Sequence, residues 1–75
     1  MLENRIRSLR EAYQWTQEQL ANRVGVTRQT ILFIEKGKYV PSLPLALKLS
    51  KVFQQSVNEL FWLQEDEYPE GGKVQ

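Results

Sequence analysis

The 75-residue sequence contains no cysteine and no histidine. Without cysteine there can be no disulfide, no thiolate zinc ligand and no thiol nucleophile. Without histidine the usual general base and the usual metal ligand are missing as well. No enzyme is therefore expected, and no metal, cofactor or small-molecule substrate. No apolar run approaches the roughly 18 residues that a membrane span needs, and the first residues lack a signal-peptide pattern. A soluble cytoplasmic protein without membrane contact is the expectation. There is no internal repeat, and the length suits one domain near the lower limit of what folds without a staple.

What is present is unevenly distributed. The net charge is only +1, but residues 1–53 hold nine basic against four acidic side chains, a balance of +5. Residues 54–75 hold one lysine against five acidic side chains, a balance of −4. A basic body with an acidic tail suits a polyanion met by one face, and equally an ordinary mixed-charge surface.

The informative stretch is Thr16–Gly37, TQEQLANRVGVTRQTILFIEKG. Thr16 and Gln19 form a capping box, Trp15 and Leu20 a hydrophobic staple, and Leu20, Ala21 and Val24 an inner face. Gly25 ends that helix where a left-handed residue is needed. Val26 and Thr27 repeat the staple and cap for a second helix with Ile31 and Ile34 inward. Arg28, Gln29, Leu32, Phe33 and Lys36 are left outward, and Gly37 is the stop. Exposed Leu32 and Phe33 suggest a contact surface. Two capped helices joined by a tight turn form a helix–turn–helix, which points to sequence-specific DNA binding.

The flanking segments read as its support. A first helix is expected from Asn4 to about Tyr13, with Ile6, Leu9 and Tyr13 inward and Arg10 on the edge of the stripe. Trp15, Tyr13 and Phe53 are expected in the core. Ser42 caps a fourth helix, with Pro44 in its first turn and Leu43, Ala46, Leu49 (or Leu45) and Phe53 buried. Ser56 and Glu59 open a short fifth helix to about Leu63, with Val57, Leu60 and Phe61 reaching the core. Leu60, Trp62 and Leu63 are the candidate dimer interface, although Trp62 and Leu63 could equally pack on their own domain. Residues 64–75 lack periodicity and read as a flexible acidic tail after a domain spanning 1–63.

The pattern T-Q-E-x-L-A-x-x-V-G-V-T-R-Q-T-I-x-x-I-E-x-G-K, with the loop Pro41-Ser42 and L-x-L-A-x-K-L after it, resembles the Cro/C1-type (phage-repressor-like, XRE) helix–turn–helix regulators. The likeness runs from about Asn4 to Leu63. It implies an all-α, five-helix, lambda-repressor-like domain whose third helix enters the major groove, acting as a two-fold dimer on a palindromic operator. By the same resemblance Arg28, Gln29 and Phe33 face base edges. Gln17, Thr27, Thr30, Lys36 and Lys38 meet the DNA backbone, and Arg10 and Glu35 form an ion pair between helices one and three. For Gln17, capping or solvent exposure stands beside phosphate contact. Phe33 departs from the family, where this position is often polar; a phenylalanine can pack on a thymine methyl but reads no hydrogen-bond pattern. The function expected is a dimeric DNA-binding regulator, a repressor. An antitoxin-like role, or a protein-interaction module using Leu32, Phe33 and Trp62 on a protein partner, stands as the alternative.

Overall fold

The computed structural model describes residues 2–64, so the acidic tail expected from residue 64 lies, Gln64 apart, outside the described residues. The elements in chain order are β1 (Leu2–Asn4), α1 (Ile6–Ala12), α2 (Gln17–Val24), α3 (Arg28–Glu35), α4 (Leu43–Phe53), α5 (Val57–Leu60) and β2 (Phe61–Leu63). The five helices expected are there, and a two-stranded sheet that was not.

Helix starts follow the side-chain chemistry. Thr16 Oγ1 accepts from the Gln19 backbone N–H at 3.0 Å, and Gln19 Oε1 accepts from the Thr16 N–H at 2.8 Å, completing the reciprocal box. Thr27 and Ser42 cap α3 and α4 in the same way, without the return bond. Gly25 closes α2 at φ 75°. A Cβ there would meet nothing within 4 Å, so the glycine answers to the backbone conformation and not to crowding.

Two expectations about the ends of the domain are corrected. The first helix does not begin at Asn4, because Asn4 belongs to β1; its Oδ1 accepts from the Ile6 N–H at 3.0 Å and so caps α1 from two residues upstream. The fifth helix stops at Leu60 instead of continuing to Leu63. Phe61 takes an extended conformation (φ −133°, ψ 143°), and β2 pairs antiparallel with β1, Glu3 opposite Trp62. Three successive apolar residues would spread around a helix that has one buried face, whereas a strand bonded to β1 satisfies their backbone groups and turns Phe61 inward. The Arg5 N–H adds a bond to the Leu60 carbonyl at 3.0 Å. The two ends of the domain are thereby tied together.

The core gathers Ile6, Leu20, Val24, Ile31, Ile34, Leu45, Leu49, Phe53 and Leu60 into one cluster, with Ala21 and Ala46 between helices. In α4 both Leu45 and Leu49 are buried, but Leu43 is 68% exposed. At 100° per residue Leu43 projects about a quarter-turn away from the middle of the Leu45–Ala46–Leu49–Phe53 stripe, which corrects the expectation that it was buried. Tyr13 is likewise not enclosed: it sits at the rim of the core, its ring 4.6 Å from that of Trp15 and 5.5 Å from that of Phe53, and its hydroxyl donates to the Phe53 carbonyl at 3.1 Å.

Leu60→Ala is expected to destabilise the domain by about 2–5 kcal/mol, since it opens a cavity in a fully enclosed site. Leu43→Ala should change stability by less than about 0.5 kcal/mol. Urea unfolding midpoints of the two variants check this, and equal losses would place Leu43 back in the core.

Candidate nucleic-acid interface

The helix–turn–helix is set up by α2 and α3, and the residues that hold it are drawn from further away. Arg10, on α1, donates from Nε to Glu35 Oε2 at 2.6 Å and from Nη2 to Glu35 Oε1 at 3.2 Å. Its third bond runs from Nη1 to the Trp15 carbonyl at 2.9 Å, in the turn that leads into α2. The side chains of Arg10 and Glu35 retain only 12% and 4% exposure, so this is an ion pair largely removed from water. The bonded Glu35 carboxylate pushes the Arg10 guanidinium above its ordinary range, against the opposing effect of burial. A second pair, Arg7 with Glu11 at 3.1 Å, lies on the open face of α1.

Gln17, the first residue of α2, joins the same carboxylate. Its Nε2 donates to Glu35 Oε1 at 3.1 Å, and its Oε1 accepts from Arg28 Nη1 at 3.2 Å. Neither solvation nor capping describes it: it is half-buried and bonded on both sides. Arg28, Leu32 and Glu35 stand at i, i+4 and i+7 along α3, one face of the helix, and the start of α2 passes over that face. Leu32 is consequently half-buried, not exposed as expected; with Arg7, Arg10, Gln17, Glu35 and Lys36 it lines an open groove.

On the other side of α3, Ile31 and Ile34 enter the core while Arg28 and Gln29 are exposed and Phe33 keeps 38% of its surface. Thr27 Oγ1 accepts from the Thr30 N–H at 3.3 Å and lies 3.2 Å from the Thr30 hydroxyl. Beyond the helix, Lys36 and Lys38 are exposed around the left-handed Gly37. The structure thus puts Arg28, Gln29, Phe33, Thr27, Thr30, Lys36 and Lys38 along one helix and its two ends. It presents hydrogen-bond donors and acceptors, an apolar ring and cations outward.

The dimer candidates separate. Trp62 and Leu63 are 40% and 44% exposed, Trp62 with the Arg5 guanidinium 5.2 Å over its ring. Leu60 is fully buried inside its own domain and is corrected from interface to core. Sequence reasoning missed Asn4, whose Nδ2 donates to the Ile34 carbonyl at 3.0 Å and holds the end of α3. It also missed the Gln17–Arg28 bond. Neither has a local signal, because the partners lie far apart along the chain. Among the described residues no group of three His, Cys, Asp or Glu could hold a metal, and no helix is long and apolar enough to cross a membrane.

Comparison with known proteins agrees with this geometry. The profile of the HTH_3 helix-turn-helix family matches residues 6–60. An uncharacterised HTH-type transcriptional regulator of Bacillus subtilis, YgzD, is 49% identical over 65 residues, 87% of this chain and 98% of that protein. Another uncharacterised HTH-type transcriptional regulator, from Archaeoglobus fulgidus, is 50% identical over 66 residues, 88% and 94% of the two chains. RstR, the cryptic phage CTXphi transcriptional repressor of Vibrio cholerae, is 38% identical over 60 residues, 80% of this chain and 54% of its own.

Arg10→Met removes the cation and leaves the Glu35 carboxylate enclosed, and should cost about 2–4 kcal/mol. Arg7→Met breaks only a solvated pair and should cost less than about 0.5 kcal/mol. Thermal unfolding followed by circular dichroism separates the two. Equal melting temperatures would remove the structural role assigned to the buried pair.

Proposed function

This chain belongs to the helix-turn-helix family of DNA-binding transcriptional regulators, and from that premise we propose that it is a dimeric repressor reading a palindromic operator with α3. The observation that carries the reading is the division of α3 into a buried side, Ile31 and Ile34, and an outward side, Arg28, Gln29 and Phe33. Arg28 has the fork for guanine O6 and N7, Gln29 the donor–acceptor pair for adenine N6 and N7, and Phe33 an apolar face for a thymine methyl. Gln17, Thr27, Thr30, Lys36 and Lys38 flank these and would bear on the phosphates, the two lysines supplying salt-sensitive, sequence-independent affinity. A repressing role is favoured by the likeness to the phage repressor, and work on DNA in the cytoplasm goes with it.

Trp62 and Leu63 provide the dimer contact in this reading. Their exposure on β2 and its flank is more apolar surface than a free monomer needs to leave in water. The same exposure supports the second reading, in which a protein partner, such as a toxin paired with an antitoxin-like domain, takes that surface.

Duplexes selected from a random pool should carry two symmetric half-sites. At constant salt, Arg28→Ala and Gln29→Ala should each lose about 1–3 kcal/mol of discrimination at one base position. Lys38→Ala should instead weaken all duplexes alike and flatten the dependence of log K on log salt by about 0.9. Unchanged discrimination in both α3 variants would overturn the recognition-helix assignment. Trp62→Ser should shift the sedimentation coefficient from dimer to monomer. A shift to monomer in neither Trp62→Ser nor Leu63→Ser would move the interface elsewhere.

A further inference from the structure

We infer that Gln17 is a specificity-determining positioning residue: held by Glu35, it presets the Arg28 guanidinium for base reading. The inference rests on the base-reading role of Arg28 proposed above.

The chemistry leaves Gln17 a single orientation. The Glu35 carboxylate only accepts hydrogen bonds, and the Arg28 guanidinium only donates. Gln17 must therefore turn its Nε2 to Glu35, at 3.1 Å, and its Oε1 to Arg28, at 3.2 Å. A flipped amide would set oxygen against oxygen and N–H against N–H. The carboxylate is itself immobile, because Arg10 grips both of its oxygens in a site where Glu35 keeps 4% exposure. A continuous run of bonds thus leads from the enclosed ion pair to an otherwise exposed arginine.

Arg28 can be held in this way without losing its reading capacity. Its guanidinium has five N–H groups, one of which goes to Gln17. A bidentate contact with guanine O6 and N7 needs two of the remaining four. An arginine free in solvent would have to give up its rotamer freedom on binding, whereas one already bonded to a fixed amide has given up much of it beforehand. Gln17 also keeps one amide hydrogen beyond the bond to Glu35, so a phosphate contact is compatible with this role. The two functions differ in what they do to sequence preference. A phosphate contact strengthens every duplex, but positioning of Arg28 acts at one base pair.

The test uses the full chain with Gln17→Met, Arg28→Met and the double variant; Met keeps the unbranched stem and removes the hydrogen bonds. Binding is measured at fixed salt to the pool-selected duplex and to duplexes changed at single base pairs. Gln17→Met should reduce discrimination about 3- to 10-fold at the base pair whose discrimination Arg28→Met abolishes. It should change little elsewhere, and should add nothing in the Arg28→Met background. A uniform loss over all duplexes, additive with Arg28→Met, would assign Gln17 to phosphate alone and overturn the proposal, as would no loss at all. In the free protein, 15N relaxation of the Arg28 Nε–H should show an ordered side chain that becomes mobile in Gln17→Met. A mobile Arg28 in the unaltered protein overturns the positioning role and leaves base reading intact. An ordered, Gln17-dependent Arg28 whose replacement changes no discrimination overturns base reading itself, and the specificity role of Gln17 with it.

Discussion

The arrangement of this domain depends on one carboxylate. Glu35 is the last residue of α3, the end at which unpaired carbonyls make a negative charge unwelcome. It is also almost wholly enclosed. Both conditions are unfavourable unless a cation is supplied, and Arg10 supplies it from α1 while reaching the Trp15 carbonyl ahead of α2. An apolar core tolerates small changes in the angle between helices, since Leu, Ile and Val can repack with moderate loss. A buried ion pair with three partner groups does not, because any other angle leaves a charge without its partner. The apolar cluster drives the chain together; Glu35 selects the disposition of α1, α2 and α3 in which it does so.

The support of α3 is lopsided. At its C-terminal end the Ile34 carbonyl accepts from both Asn4 Nδ2 and the Gly37 N–H, and Glu35 accepts from Arg10 and Gln17. At its N-terminal end there is the Thr27 cap and the single bond from Arg28 to Gln17. The two-stranded sheet belongs to this scheme, because β1 delivers Asn4 to Ile34 and β2 secures β1. A helix anchored at one end and sparsely bonded at the other presents its first turn at a defined height and angle. That is what a side chain inserted into a groove needs from its scaffold.

Much of this was legible in the sequence, and the boundary is physical. Caps, staples and left-handed glycines act over three to five residues, so the starts of α2, α3 and α4 and the turn at Gly25 could be placed from the residues alone. The family likeness supplied the pairing of Arg10 with Glu35, 25 residues apart, which no local pattern contains. The strands could not be seen. Three residues show no alternation, and Phe61–Leu63 only becomes a strand because Leu2–Asn4 lies beside it. The burial of Leu32 and the bond from Gln17 to Arg28 were hidden for a related reason. Helical periodicity gives an inward and an outward side, but it cannot tell that a second helix passes over part of the outward side.

That third surface, neither core nor open, links stability to recognition. Gln17 and Arg10 share Glu35, so a substitution at any of the three redistributes bonds among the others, and their effects cannot be summed as if independent. Phe33 stands outside the network: it has no polar group and keeps over a third of its surface in water. On the proposed reading the two outer positions of α3 work by different physics. Arg28 contributes through a direction imposed from inside the protein, and its influence fails when that direction is lost. Phe33 contributes by removing its own surface from water, which has no preferred direction and survives small rotations. Selectivity for a guanine should then be the fragile part of this interface, sensitive to residues that never approach DNA, while the contact made by Phe33 should tolerate them.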